Sequence, residues 1–534
     1  MSDHSGEVAK GSFWNLLGNV AFKLVSFFYV VLVARAASQD DLGLFYLSLG
    51  IVSFVSVFSD FGISGALVRF VPYFDGRGEK GKIKDLLRVS YAALLAAGIA
   101  LSAALWLSAD FIGGVYASAS LPEAIRMLSV FVLINNILRL HQYFMQGLSD
   151  MKYFQLMANS QNALKLVLTA ILFYFYGASV VTISAGFLLS HLIVTVLSAP
   201  KVLAAASSIK GRERLGREEL LYSIAPLGLM IAVLQNFSNL LAISDRLILG
   251  YLAGPAAALE EVAVYSVLTT LATVLFVFPS SVGGIFLPVF SRLAGQGEKE
   301  RMKELIDSAV RWTALIAIPA GLVLMMFPQE MLSLLYGPGY ARGAAALSVF
   351  SAGLIISAVS HIMWLALAGM RMVKVEMLIA GVGGALNIIL AFALVPGYGM
   401  AGSAAASAIS LLVSFLLLLY YCGRLLGYRP GQAAVRLFIP AALTFAALLL
   451  LRPAIASFIP GSAESFGAKA VYLLLLGLGA ALSYAIFGLV AAASGCFTAE
   501  DSLLAKKALM RAGLGEKNAS VLSGMLARGP SGPK

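Results

Sequence analysis

Apolar residues in this chain gather in runs of about twenty, the length of a helix across the hydrocarbon core of a bilayer. Polar and basic residues fall between the runs. The pattern predicts helices over 13–34, 42–68, 86–107, 122–146, 153–176, 178–200, 220–248, 260–290, 308–327, 343–368, 374–395, 400–422, 434–451 and 469–492. The expected fold is therefore an all-α integral membrane protein with about 14 transmembrane helices. The first run begins at Phe13 and is too long for the apolar region of a signal peptide, so it is counted as a span.

One stretch between runs occurs twice. Residues 76–87 read Gly-Arg-Gly-Glu-Lys-Gly-Lys-Ile-Lys-Asp-Leu-Leu, and 295–306 read Gly-Gln-Gly-Glu-Lys-Glu-Arg-Met-Lys-Glu-Leu-Ile. The same offset of 219 residues carries Leu128-Ser129-Val130-Phe131 onto Leu347-Ser348-Val349-Phe350. Two matches at one offset with no gap between them indicate a duplicated half, and membrane repeats of this kind are typical of transporters. The expected organisation is a six-helix bundle over 1–200, a basic linker over 201–219 and a parallel six-helix bundle over 220–422. Helices 13 and 14 follow over 423–495, then a tail over 496–534. Within the tail, 498–514 reads as a surface helix capped by Thr498, with Leu503, Leu504, Leu509 and Met510 on one face.

Composition agrees with lipid as the solvent. Sixty per cent of residues are hydrophobic and 12% are charged, about half the charge of a soluble domain. The formal net charge is +11, yet the basic residues lie in short loops rather than on one face, which argues against nucleic acid. With the N-terminus inside, 29 lysines and arginines fall in inner loops or at the termini, against five in outer loops (Arg35, Arg126, Arg342, Arg452 and Lys469). That imbalance places both termini in the cytoplasm and the protein in the cell membrane. Cys422 and Cys496 have neither a disulfide framework nor metal-ligand spacing, and no cofactor or metal is expected.

Polar side chains inside the spans are costly and mark cavities or partners. Helix one carries Asn15, Asn19 and Lys23. Helix four carries Asn135, Arg139, Gln142 and Gln146, nearly one line along the helix, and helix five carries Asn162 and Lys165. Lys23, Arg139 and Lys165 without matching acids suit an anionic ligand such as a phosphate or pyrophosphate. The plainer reading makes them snorkelling or interhelical groups. Asp60, Asp245 and Arg246 are candidate gate or coupling residues, with Na+ or H+ as the coupling ion. For Asp60 the plainer role is a helix-end partner of Arg69 or a backbone amide; for Asp245, a local ion pair with Arg246. His361 and Asn387 read as interhelical hydrogen bonds. Breaks at Asp60–Gly65 and Pro279–Gly284 fall at equivalent points of the repeat, as bending helices require. No nucleotide-binding loop or catalytic constellation stands out, so no enzyme is expected.

Three segments carry a family resemblance: Asp60-Phe61-Gly62-Ile63-Ser64-Gly65-Ala66-Leu67-Val68-Arg69, Asp245-Arg246-Leu247-Ile248-Leu249-Gly250 and Tyr336-Gly337-Pro338-Gly339-Tyr340. With the six-plus-six repeat, their order over roughly residues 10–495 resembles the Wzx-type polysaccharide flippases. These belong to the multidrug/oligosaccharidyl-lipid/polysaccharide (MOP) exporter superfamily. The resemblance implies movement of a polyprenyl-diphosphate-linked oligosaccharide from the inner to the outer leaflet, for cell-surface polysaccharide biosynthesis. It also implies two bundles forming a V-shaped cavity with a cationic lining in the first, which maps by location to Lys23, Arg139 and Lys165. The partners are then membrane lipid and the lipid-linked glycan. Rival readings are a lipid II flippase, a cation-coupled multidrug exporter of the same superfamily, and a membrane glycosyltransferase, which would need an outer catalytic loop.

Overall fold

The structure is a computed structural model. It describes residues 2–60, 62–224, 226, 228, 243–457 and 466–497, with side chains from residue 18 onward except at 221, 223, 281, 282, 284, 285 and 454–472. The described chain is almost entirely helical. The first helices are α1 (Ser2–Ala36), α2 (Gln39–Val57), α3 (Ile63–Gly76), α4 (Lys80–Val115), α5 (Leu121–Gly147), α6 (Met151–Tyr176) and α7 (Val180–Ser208). After the linker come α8 (243–252), α9 (Ala258–Ala272), α10 (Val277–Gln296), α11 (Lys299–Met326), α12 (Pro328–Tyr336) and α13 (Ala344–Gly369). The last are α14 (Val373–Leu426), α15 (Gln432–Arg436), α16 (Phe438–Ser457) and α17 (Phe466–Ala493). Among the described residues, 12 helices are long and apolar enough to cross a membrane. α14 holds two of the expected spans, joined at Gly399, where φ is 54° and ψ −133°. Most of the expected seventh span, including Gln235 and Asn239, and the surface helix at 498–514 lie outside the described residues. This is a multi-pass membrane protein with the expected fold class.

Two expected spans are each divided. The run 42–68 becomes α2 and α3, because the amides of Phe58 and Ser59 turn to carbonyls three residues back and Gly62 enters the left-handed region at φ 79°. The run 260–290 is divided by a 3₁₀ turn at Thr273–Phe276. Pro279 has no amide hydrogen for the Leu275 carbonyl and crowds it, so the α-helix restarts at Val277 with proline in its first turn.

The repeat is visible in the turns. Gly78 (φ 74°) and Gly297 (φ 72°) occupy the same place in the duplicated stretch. At each, the next amide closes a six-residue loop, Glu79 onto the Phe74 carbonyl and Glu298 onto Leu293. That is the left-handed helix stop glycine favours. A second pair is built from carboxylates. Asp41 accepts the amide of Val180 at 2.9 Å, starting α7, and Glu261 accepts the amide of Met400 at 2.9 Å, restarting α14 after its kink. Both bonds span 139 residues of chain, and they stand 220 residues apart. An anion on orphan amides at a helix start satisfies donors that lipid cannot.

By contacts, the described chain forms two compact units: residues 1–271 with 380–407, and 272–379 with 408–534. The division does not follow the halves of the repeat, because α8, α9 and the middle of α14 join the first unit. Lipid offers no hydrophobic drive between helices, so small residues and close packing hold them. In the first unit, Gly43 lies against the backbone carbonyl of Leu259 so tightly that a Cβ would strike it. In the second, α17 is tied to α11 by the hydroxyls of Ser483 and Tyr484, donating to the carbonyls of Pro319 and Ile316 at 3.0 and 2.9 Å.

The linker is strapped to the start of α4. Glu213 accepts the amide of Gly81 at 2.9 Å, Asp85 accepts the amide of Leu215 at 3.2 Å, and Lys82 pairs with Glu219 at 2.8 Å. Only glycine at 81 admits the linker backbone, which lies where a Cβ would be. The equivalent position in the repeat is Glu300.

Candidate polar site in the first unit

The break between α2 and α3 is held against α5 by two contacts one turn apart. Ser59 donates its hydroxyl to Asn136 Oδ1 at 2.6 Å, and Asn136 Nδ2 reaches the Leu94 carbonyl at 3.1 Å. Asp60 stands beside this anchor. Its Oδ1 accepts from the amide and hydroxyl of Ser64, at 3.2 and 2.7 Å. Its Oδ2 faces Arg139 Nη2 at 3.9 Å. Arg139 therefore has a matching acid, contrary to the sequence expectation. Asp60 does bind a backbone amide, as its plainer reading had it, whereas Arg69 is exposed.

Arg139 also lies 5.5 Å from the ring centre of Tyr143, one turn on along α5. Asn135, Gln142 and Gln146 on the same stripe are all half-buried, and Gln146 Oε1 has no hydrogen-bond partner. On α6, the Lys165 ammonium sits 4.3 Å over the ring of Tyr29. Among the described ion pairs none involves Lys165. α6 packs against both α1 and α5, so the helices bearing the three cations are neighbours. Lys23 and Asn19 on α1 are half-buried, and the side chain of Asn15 lies outside the described residues.

Asn162 is placed differently from the others. It is fully buried, and its Nδ2 donates to the Phe22 carbonyl and the Ser26 hydroxyl, both at 2.7 Å. It clamps α6 to α1 rather than facing an open surface. The two histidines of this region are also tied into the bundle. His141 bonds Tyr91 at 2.5 Å and Ser198 at 2.6 Å, and His191 bonds Gln161 at 3.2 Å.

A second polar cluster surrounds Asp245. The residue is buried, and its Oδ2 accepts from Tyr265 at 3.0 Å and Ser407 at 2.5 Å, while Asn387 Nδ2 donates to Ser407 at 3.0 Å. Among the described residues Asp245 Oδ1 has no hydrogen-bond partner. Among the described ion pairs none joins Asp245 to Arg246. Successive helical residues point about 100° apart, and Arg246 instead lies 5.5 Å from the ring centre of Tyr46. The expectation that Asn387 bonds between helices holds, since Ser407 lies beyond the kink of α14.

Sequence reading missed Asn136, Ser64, Tyr29 and Tyr143. The stripe rule selected Asn135 over its neighbour, and only packing decides which of two adjacent asparagines faces the protein.

The comparisons with known proteins bear on this arrangement. The family model described as polysaccharide biosynthesis protein matches residues 32–345, more than half the chain. The chain belongs to the polysaccharide biosynthesis protein family. This membership agrees with the resemblance to Wzx-type flippases. Among relatives, the uncharacterized membrane protein MJ1068 of Methanocaldococcus jannaschii is 22% identical over 79% of this chain and 85% of its own length. A probable lipid II flippase MurJ of Bdellovibrio bacteriovorus is 26% identical, over 38% of this chain and 37% of its own. The solved structure of a lipid II flippase MurJ in an inward closed conformation superposes with a TM-score of 0.68 at 14% identity. It covers 89% of this chain and 98% of that one. At that identity the likeness is one of fold.

Proposed function

We propose that this family member is a flippase that carries a polyprenyl-diphosphate-linked oligosaccharide from the inner to the outer leaflet of the cytoplasmic membrane, by alternating access, with both termini in the cytoplasm. The observation that carries the reading is cationic side chains on neighbouring membrane helices. Among the described ion pairs Arg139 has one carboxylate, at 3.9 Å, and Lys165 rests on an aromatic face. A guanidinium with donors to spare takes a diphosphate in bidentate fashion. In this reading Arg139, Lys165 and Lys23 hold the diphosphate. Asn135, Gln142, Gln146, Asn19 and Asn15 meet neutral sugars, and the prenyl chain stays in lipid. The family's place in polysaccharide biosynthesis supports a glycan cargo.

Asp245 supplies a candidate for energy coupling. A buried carboxylate with one oxygen unpartnered, ringed by Tyr265, Ser407 and Asn387, is a place for Na+ or H+ to neutralise charge. Arg246 remains a candidate gate residue.

The test is leaflet sidedness. In right-side-out vesicles from cells lacking the gene, lipid-linked glycan accumulates protected from an impermeant glycosidase, and the wild-type gene restores access. Arg139→Ala inserts normally but leaves the glycan protected; wild-type access in that variant overturns the assignment. The likeness to lipid II flippases favours one second reading, in which the cargo is lipid II. Rescue of cells depleted of their lipid II flippase would establish it.

A further inference from the structure

The break between α2 and α3 puts a fixed acid beside a movable base. Asp60 is held by two bonds to Ser64, and its side chain is only 6% exposed. Arg139 is 23% exposed, and its guanidinium stops 3.9 Å short on the side of the carboxylate that Ser64 leaves open. The pair is therefore within Coulombic reach without a closed bidentate contact. No other residue of the break is charged, and among the described residues a neutral Ser59–Asn136 bond also ties it to α5.

We infer that Asp60 is the counter-ion Arg139 gives up when the diphosphate binds, and that this exchange frees the break between α2 and α3 to bend. The inference rests on the flippase reading and names the step that links binding to movement. In the empty protein, Asp60 neutralises a cation that would otherwise stand alone among membrane helices. A diphosphate offers Arg139 more charge and two oxygens at once, so it competes successfully for the guanidinium. Asp60 then loses the charged tie between the break and α5, and among the described side-chain hydrogen bonds and ion pairs of the break the Ser59–Asn136 bond remains. A ligand moves a helix only through differential contacts with its two positions, and Arg139 supplies that difference. Asp60 is thus a positioning residue that never touches the cargo.

Farnesyl diphosphate is the probe, bound to the full-length chain in lipid nanodiscs. Asp60→Asn removes the competitor and tightens binding by about tenfold. Ser64→Ala removes the hydroxyl bond and leaves only the amide on Asp60, so the carboxylate closes more readily on Arg139 and binding weakens, and this opposite sign decides the matter if Asp60→Asn does not fold. Spin labels at Phe58→Cys and Tyr73→Cys, both on exposed positions either side of the break, report a distance change on adding the probe to otherwise wild-type protein. Adding Asp60→Asn abolishes that ligand-induced change. If Arg139→Ala loses binding while the Asp60 and Ser64 variants bind as wild type does, Asp60 is only a helix cap and the inference falls, while the flippase reading stands. If Arg139→Ala binds as tightly as wild type, the anion site itself is wrong and both fall together.

Discussion

Asn162 and Asn135 lie on adjacent helices and carry the same amide, yet they answer to different demands. Asn162 is sealed between α6 and α1 and spends its donors on Phe22 and Ser26. Replacing it with alanine costs about 0.5–2 kcal/mol, the span of interhelical hydrogen bonds in membrane proteins and model peptides. Thermal unfolding in detergent measures the loss. Asn135 is half-buried on the Arg139 stripe. Asn135→Ala leaves the unfolding temperature unchanged and weakens glycan binding. Reversed results would move the sugar-binding face to α6. Sequence periodicity placed both residues in one class, because spacing reports which face a residue shares and not what packs there.

Several elements in this protein begin where backbone amides find anions. Asp41 and Glu261 start two helices at equivalent points of the repeat, and Glu213 does the same for the linker at Gly81. The Gly81 amide holds the exposed Glu213 carboxyl below its ordinary range. Its sign follows from a depressed folded value: the strap's contribution is complete above the ordinary carboxylate range and is lost as pH falls through the lowered one. Hydrogen exchange across 209–216, corrected for intrinsic rate, therefore rises in acid, and Glu213→Gln removes that pH dependence. Gly81→Ala should release the strap at every pH, because the new Cβ meets the linker backbone. The helix spans themselves were legible, since apolar length alone specifies them in lipid. The breaks were marked by glycine and proline, but their consequence, two helices in place of one, depended on which amides could find another carbonyl.

At the scale of the molecule, the imbalance of lysine and arginine predicts that both termini lie in the cytoplasm. Reporter fusions at the C-terminus and after Ser118, in the turn following α4, should report opposite sides. The Asp245 cluster carries the energetic prediction. Asp245→Asn keeps the hydrogen bonds to Tyr265 and Ser407 within reach but removes the charge a cation would neutralise. Flipping then loses its dependence on an Na+ or H+ gradient, and slows, while binding of farnesyl diphosphate at Arg139 is unchanged. Retained gradient dependence would remove Asp245 from the coupling path.

The sequence by itself determined the membrane class, most of the apolar runs that become helices, the duplication and the charge asymmetry. Each of these follows from local chemistry: apolar length matched to a bilayer, a repeated string, the positions of basic loops. Only the tertiary structure decided the partners. That Asp60 answers Arg139 across 79 residues, that Asp245 bonds Tyr265 and Ser407, and that α9 and part of α14 join the first unit are outcomes of packing. An ionic partner is selected by distance in space, and a linear pattern records direction around a helix but not what stands opposite.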